Sequence, residues 1–213
     1  IKCYNSGIST TNWNDLTSTV GVGSLTNGAT FNSSNLGNIT FDGTNDYISV
    51  PNTSNLNPGT GSFSIVVWVN SDPNNGGDGW DMWAAKRSSS TNGYYIGANA
   101  TNGVRFGMGN DQSTFINTGY ISYTHNTWAM FTGILNVSAN TQTIIRNNSE
   151  QSASTTPAGG TYSNSAVLSI GGDFGVNSFY VNGKVAHVAI YNKALTTDEI
   201  SQNFNALRGR FGI

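Results

Sequence analysis

Glu150 and Glu199 are the chain's two glutamates, so carboxylate chemistry has few residues to draw on. Cleaving a glycosidic bond needs two carboxyl groups about 5–9 Å apart, one as acid and one as nucleophile or base. Glu199 closes the run Thr196-Thr197-Asp198-Glu199. That run reads as a capping box, Thr196 accepting from the third helical amide while Glu199 reaches back. Glu150 falls in a Ser- and Asn-rich stretch. No run sets carboxylates at alternate positions, where a strand would turn them to one face. Asp78 and Asp81 stand three apart in Asp78-Gly79-Trp80-Asp81, read as loop. His125 and His187 belong to no nucleophile motif, and the single Cys3 reads as a structural thiol. The expectation is a protein that is not an enzyme.

Binding is better provided for. Sugars offer apolar C–H faces ringed by hydroxyls, so a glycan site combines aromatic platforms with amide and carboxylate side chains. Trp80, Trp83, Tyr94, Tyr95, Tyr120 and Tyr123 are the aromatics to consider. Trp80 stands out, flanked by Asn74, Asn75, Asp78 and Asp81 in a Gly-rich stretch. The candidate glycan site is Trp80 with Asn75, Asp78, Asp81 and Tyr94.

The elements that must hold these residues are strands. β-rich runs recur at Ile39–Phe41, Tyr47–Val50, Phe63–Val69, Tyr94–Gly97, Val104–Met108, Trp128–Leu135, Thr143–Arg146, Val167–Ile170 and Lys184–Tyr191. Between them stand Asp42-Gly43, Asn92-Gly93, Asn102-Gly103 and Asn182-Gly183, dipeptides suited to tight hairpins. Phe63–Val69 carries apolar residues at both parities, so it must be covered on both faces. One helix is expected after Thr196, with Ile200, Phe204 and Leu207 in a stripe and Arg208 and Arg210 at its C-terminal end. Residues 147–164, rich in Ser, Thr, Gly and Asn, read as a long surface loop. The fold class is all-β, a two-sheet antiparallel sandwich with one short C-terminal helix.

Composition narrows the partners. Of 213 residues 9% are charged, and nine Lys and Arg face eleven Asp and Glu, a net charge of −2. Such a balance leaves no footprint for nucleic acid, and no run of about 18 apolar residues predicts a membrane span. The start at Ile1 reads as the interior or processed end of a longer polypeptide.

Ile39-Thr40-Phe41-Asp42-Gly43-Thr44-Asn45-Asp46-Tyr47-Ile48 resembles the opening strand pair, FDGxxDYV, of laminin-G-like domains in the concanavalin A-like lectin/glucanase superfamily. Phe63–Val69, Ala85-Lys86, Asn92–Ile96, Trp128, Leu168–Gly171 and Asn182–Leu195 resemble later family segments in the same order. Trp13-Asn14-Asp15-Leu16 and the closing Asn203–Ile213 are similar to versions in tailed-phage structural proteins. The resemblance implies a concanavalin A-like jelly roll, one domain over residues 1–213, with Trp68, Trp128, Phe41, Phe131, Phe179 and Tyr191 as packing residues. Many members bind calcium at a rim, and by position the ligands here would be Asp42, Asp46 and Asp173. Ala186 and His187 replace a further acidic pair of the family. Calcium is therefore not expected, Asp42 capping its turn and Asp46 bracing the hairpin instead.

The function expected on this resemblance is a non-enzymatic structural, decoration or adhesion module on the surface of a phage virion, in head or tail, with weak glycan binding. Its partners would be other virion proteins, copies of itself and a host-surface glycan. The alternative is a carbohydrate-binding module of a secreted or cell-surface protein. Phe211 and Ile213 are both expected to be buried, since apolar residues at a chain end persist when tied down.

Overall fold

The computed structural model describes residues 11–17, 19–73, 79–89, 91–101, 103–110, 115–156, 160–173 and 178–213, and the backbone of residues 2–4. Its strands run β1 Lys2–Tyr4, β2 Asn12–Asn14, β3 Val22–Thr26, β4 Thr30–Asn32, β5 Asn38–Asp42, β6 Tyr47–Val50, β7 Phe63–Ser71 and β8 Trp80–Arg87. They continue with β9 Gly93–Asn99, β10 Gly103–Gly109, β11 Ile116–Asn117, β12 Ala129–Asn136, β13 Thr141–Arg146, β14 Glu150–Thr155, β15 Leu168–Ile170 and β16 Asn182–Tyr191, and the helix α1 covers Thr197–Phe211. Two eight-stranded sheets result. The first runs β14-β13-β12-β7-β16-β5-β4, with β1 also on β16, and the second β11-β10-β9-β8-β15-β6-β3-β2. Every strand pairing described is antiparallel. This is the two-sheet sandwich with a C-terminal helix that the sequence predicts.

The two parities of β7 show why its sequence is apolar throughout. Phe63, Ile65, Val67 and Val69 join the main core with Phe41, Trp83, Ile96, Phe106 and Phe131. Val66 and Trp68 face the other way and pack with Met130, Ala189, Ile200, Phe204 and Phe211. One face of β7 is thus closed by the second sheet and the other by α1. In β12, a Cβ on Gly133 would collide with the ring of Phe106, so glycine there lets the sheets close around that ring. No helix among the described residues is long and apolar enough to cross a membrane.

Several sequence expectations need correction. Residues 147–164 are not one loop, because β14 pairs with β13 along its whole length. Its Glu-Gln-Ser-Ala-Ser-Thr sequence carries no apolar alternation because it is an edge strand alternating half-buried with exposed positions. Asn182-Gly183 opens β16 rather than turning a hairpin, paired with Asp42 and Phe41 of β5. Asn102 lies outside the described residues. Phe211 is buried as expected, whereas Ile213 is 42% exposed. Gly212 turns left-handed at φ 74 and its N–H caps the Arg208 carbonyl, ending the apolar stripe before Ile213.

Candidate functional site

The two glutamates occupy separate structural settings. Glu199 completes the capping box with Thr196 and pairs with Lys193. Glu150, in β14 rather than a loop, accepts from the Ser122 N–H at 2.8 Å and pairs with Arg146 at 2.6 Å. The Ser122 bond leads in holding its carboxyl below the usual range.

Asp42 accepts from the Thr44 N–H at 2.8 Å, the turn-capping bond expected of it. Asp46 accepts from the Asp42 N–H at 3.1 Å, while its buried Oδ1 has no hydrogen-bond partner among the described residues. Burial first, then the Asp42 charge, raises the Asp46 pKa. Asp173 is buried and ion-paired with Arg87. The three aspartates do not gather into a group that could hold a metal, and calcium asks for six to eight oxygens. Two neighbouring carboxylates, one of them buried and already accepting from a backbone N–H, fall short of such a shell. Millimolar calcium is accordingly expected to leave the melting temperature unchanged. A rise of several degrees, reversed by chelator, would assign a metal to Asp42 and Asp46.

The aromatic candidates divide by strand parity. Tyr94 is fully buried in the main core, its hydroxyl donating to the Leu56 carbonyl at 3.1 Å, so it cannot meet a sugar. Trp83 is also fully buried, with Nε1–H donating to Ser71 Oγ at 2.9 Å. Asp81 is wholly buried and accepts from the Asn182 N–H. It lies in β8, not in a loop. Tyr123 packs edge-on against Trp83 and Phe131. Asn75 and Asp78 lie outside the described residues.

Of the described residues in the candidate glycan site, Trp80 stands at the surface, as the first residue of β8 and only half-buried. It faces away from the main core, with Met82, Ala85 and Tyr95 beneath and Phe115 and Phe179 beside it. Tyr120, 38% exposed, lies 6.4 Å from Trp80 between ring centroids, and Phe179 lies 6.3 Å away edge-on. Phe179 packs, as expected of it, but against this outer cluster rather than in the main core. Its carbonyl accepts from the Met82 N–H at 2.9 Å, and its φ of 63 is a left-handed conformation unusual for an aromatic residue. Backbone held in such a state often marks a binding surface.

Arg105 completes the group, and nothing in the sequence reading singled it out. Its guanidinium carbon sits 4.5 Å from the Trp80 ring centroid, 5.2 Å from Tyr120 and 5.8 Å from Tyr95. The spacing is possible because Gly97 stands between Met82 of β8 and Arg105 of β10 and projects no side chain. Gly107 does the same for Tyr95, since a Cβ there would come within 2.5 Å of the Tyr95 ring. The Tyr95 hydroxyl donates to Asn117 Oδ1 at 2.6 Å and accepts from Arg105, its pKa pushed up to about 12 chiefly by burial. The signal available in the sequence was the alternation of Gly103, Arg105 and Gly107 with Val104, Phe106 and Met108.

The family model described as Laminin_G_3, concanavalin A-like lectin/glucanases superfamily, matches residues 42–201. A search of curated proteins finds no match. Among solved structures, the binding domain of Paraclostridial Mosquitocidal Protein 1 aligns with a TM-score of 0.72 at 16% identity, over 96% of this chain and 52% of that one. The binding domain of botulinum neurotoxin DC, solved in complex with SialylT, aligns with a TM-score of 0.66 at 15% identity, over 97% and 51%. The Trypanosoma rangeli sialidase in complex with 2,3-difluoro-KDN gives 0.70 at 15%, over 100% and 33%. The chain thus spans about a half to a third of these proteins, and at such identities the likeness shows the fold.

Proposed function

The chain belongs to the concanavalin A-like lectin/glucanase superfamily, and we propose that it is a non-enzymatic, glycan-binding adhesion module. The observation that carries this reading is the cluster of Trp80 and Tyr120 around Arg105, with Phe179 edge-on to Trp80, on the outer face of the second sheet. Flat rings at the surface suit the C–H faces of a sugar, and a guanidinium among them supplies donors for its oxygens. The absence of catalysis in this proposal is supported by Glu150 and Glu199 serving an edge strand and a helix cap.

The carrier we propose is the surface of a phage virion, head or tail, where the module packs beside copies of itself and other virion proteins. This rests on the likeness of Trp13–Leu16 and Asn203–Ile213 to tailed-phage structural proteins. A surface poor in charge also loses little ion hydration at such contacts. A secreted or cell-surface carrier is the second reading. It is favoured by neighbours that are toxin binding domains and part of a sialidase, one of them solved with SialylT, and by botulinum neurotoxin type C, whose cell entry depends on interaction with two ganglioside molecules. Both readings use the same platform.

A glycan array tests it. Reproducible hits are expected with the intact chain, and Trp80→Ala or Tyr120→Ala should each weaken the best hit about thirtyfold, the loss typical of a central aromatic contact. Binding that survives both substitutions would move the site elsewhere, and an array without hits would remove the glycan reading.

A further inference from the structure

The charge at the centre of the platform has a consequence for specificity. Three rings surround Arg105, yet no carboxylate among the described residues forms an ion pair with it. Its buried Nε–H has no acceptor among those residues. The second cation of this face, Arg87, differs. It also lies over Tyr95 and Phe115, at 5.4 and 5.5 Å, but is neutralised by Asp173. Among the described residues, the face therefore carries one guanidinium paired with a carboxylate and one that is not. Stacking occupies the flat sides of a guanidinium and leaves its N–H edge for an in-plane acceptor. A planar fork of donors binds carboxylate and sulfate more strongly than it binds a hydroxyl.

We propose that the outer face of the second sheet selects anionic glycans, with Arg105 holding the carboxylate or sulfate of a sugar whose ring stacks on Trp80 and Tyr120. The proposal rests on the glycan-binding reading above and adds the class of sugar. A neutral sugar then offers the guanidinium hydroxyl oxygens alone, whereas an acidic sugar presents a charged acceptor to its exposed edge. Arg105 acts through charge and geometry together, so lysine replaces it only in part.

Calorimetric titration of the intact chain with matched sugar pairs tests this. The pairs are sialyllactose against lactose, and a 6-sulfated galactose oligosaccharide against its unsulfated parent. At least one acidic member is expected to bind about tenfold or more tighter than its neutral parent, the usual scale for a hydrogen bond to a charged group. Whichever acidic arm is tighter identifies carboxylate or sulfate as the ligand. The preference should shrink with added salt. Arg105→Gln should abolish it, bringing each acidic member down to the affinity of its neutral parent measured on the same variant, and Arg105→Lys should restore a fraction. Melting curves of both variants establish that they fold. The comparison of pairs on the unaltered chain stands even if a variant does not. Equal affinity for acidic and neutral members overturns the proposal and leaves the aromatic platform standing, as does a preference that survives Arg105→Gln. Binding of no sugar overturns both.

Discussion

Replacing Phe204 with alanine is expected to lower the free energy of unfolding by about 3–5 kcal/mol, the range for removing a large aromatic side chain from a packed core. The helix that carries Phe204 begins at Thr196, whose side chain accepts from the Glu199 N–H while Glu199 returns the bond. From that start Ile200, Phe204 and Phe211 fall on one buried stripe. They meet the outer side of the first sheet at Trp68, which stacks on Phe204 at 5.8 Å and 1° and on Phe211 at 4.5 Å and 19°. Trp128 lies 4.6 Å from Phe211 on its other side. Arg210 donates to the Asn35 and Gly37 carbonyls, fixing the last turn to the loop before β5. Truncating Phe204 therefore opens a void beside a fully buried tryptophan and loosens the cover over β7. Urea denaturation followed by Trp fluorescence measures the loss. A change below about 1 kcal/mol would mean that α1 rides on the sandwich without supporting it.

How legible such features were depends on how local their physics is. The capping box and the stripe Ile200–Phe204 are set within a few residues, so they could be read directly. Phe63–Val69 was legible as a strand covered on both faces because no polar residue interrupts it at either parity except Ser64. That Ser64 in turn accepts from the Leu195 N–H at 3.0 Å, just ahead of the helix. Strand β8 was hidden because a register shift between Met82 and Ala84 breaks the period of two. Trp83 and Ala84, adjacent in sequence, then both face the main core while Met82 and Ala85 face outward, which no alternation rule would predict. Glycine 79 and the aspartates around it added a loop-like composition.

The candidate site was only partly legible for a related reason. Tyr94 and Tyr95 are adjacent, and one must point inward, but sequence alone does not say which face of β9 meets the other sheet. The structure assigns Tyr94 to the core and Tyr95 to the outer face. Trp80 was found, although its neighbours on the surface are not those near it in sequence. Arg105, Tyr120 and Phe179 come from β10, the segment after β11 and the segment before β16. Their meeting is created by strand order β10-β9-β8, a long-range property without a local signature.

Acidification is expected to remove about 3 kcal/mol of stability between pH 6.5 and pH 4 through His187. This residue follows the bulge between Val185 and His187 in β16, opposite Trp68 in register, and is 9% exposed. Burial first, then the nearby Arg210 charge, pushes its pKa from 6.5 down to about 4. Its Nδ1 has no hydrogen-bond partner among the described residues, so none of their carboxylates or carbonyls rewards protonation at that atom. The unfolded chain takes up the proton near 6.5, while the folded chain resists until about 4. The folded state's advantage is therefore intact above pH 6.5 and lost as pH falls toward 4, a loss of 1.36 kcal/mol for each pH interval between the two values. The aspartates and glutamates held low by hydrogen bonds, Asp15 and Glu150 among them, add their own losses in more acidic solution. His187→Gln separates the two contributions, because it removes the titration and leaves those carboxylates in place. Unfolding free energies at pH 7.5, 5.5 and 4.5 should fall steeply for the intact chain and stay nearly level for the variant. Parallel curves for the two proteins would show that His187 is protonated equally easily in both states, and that the helix does not seal it from water.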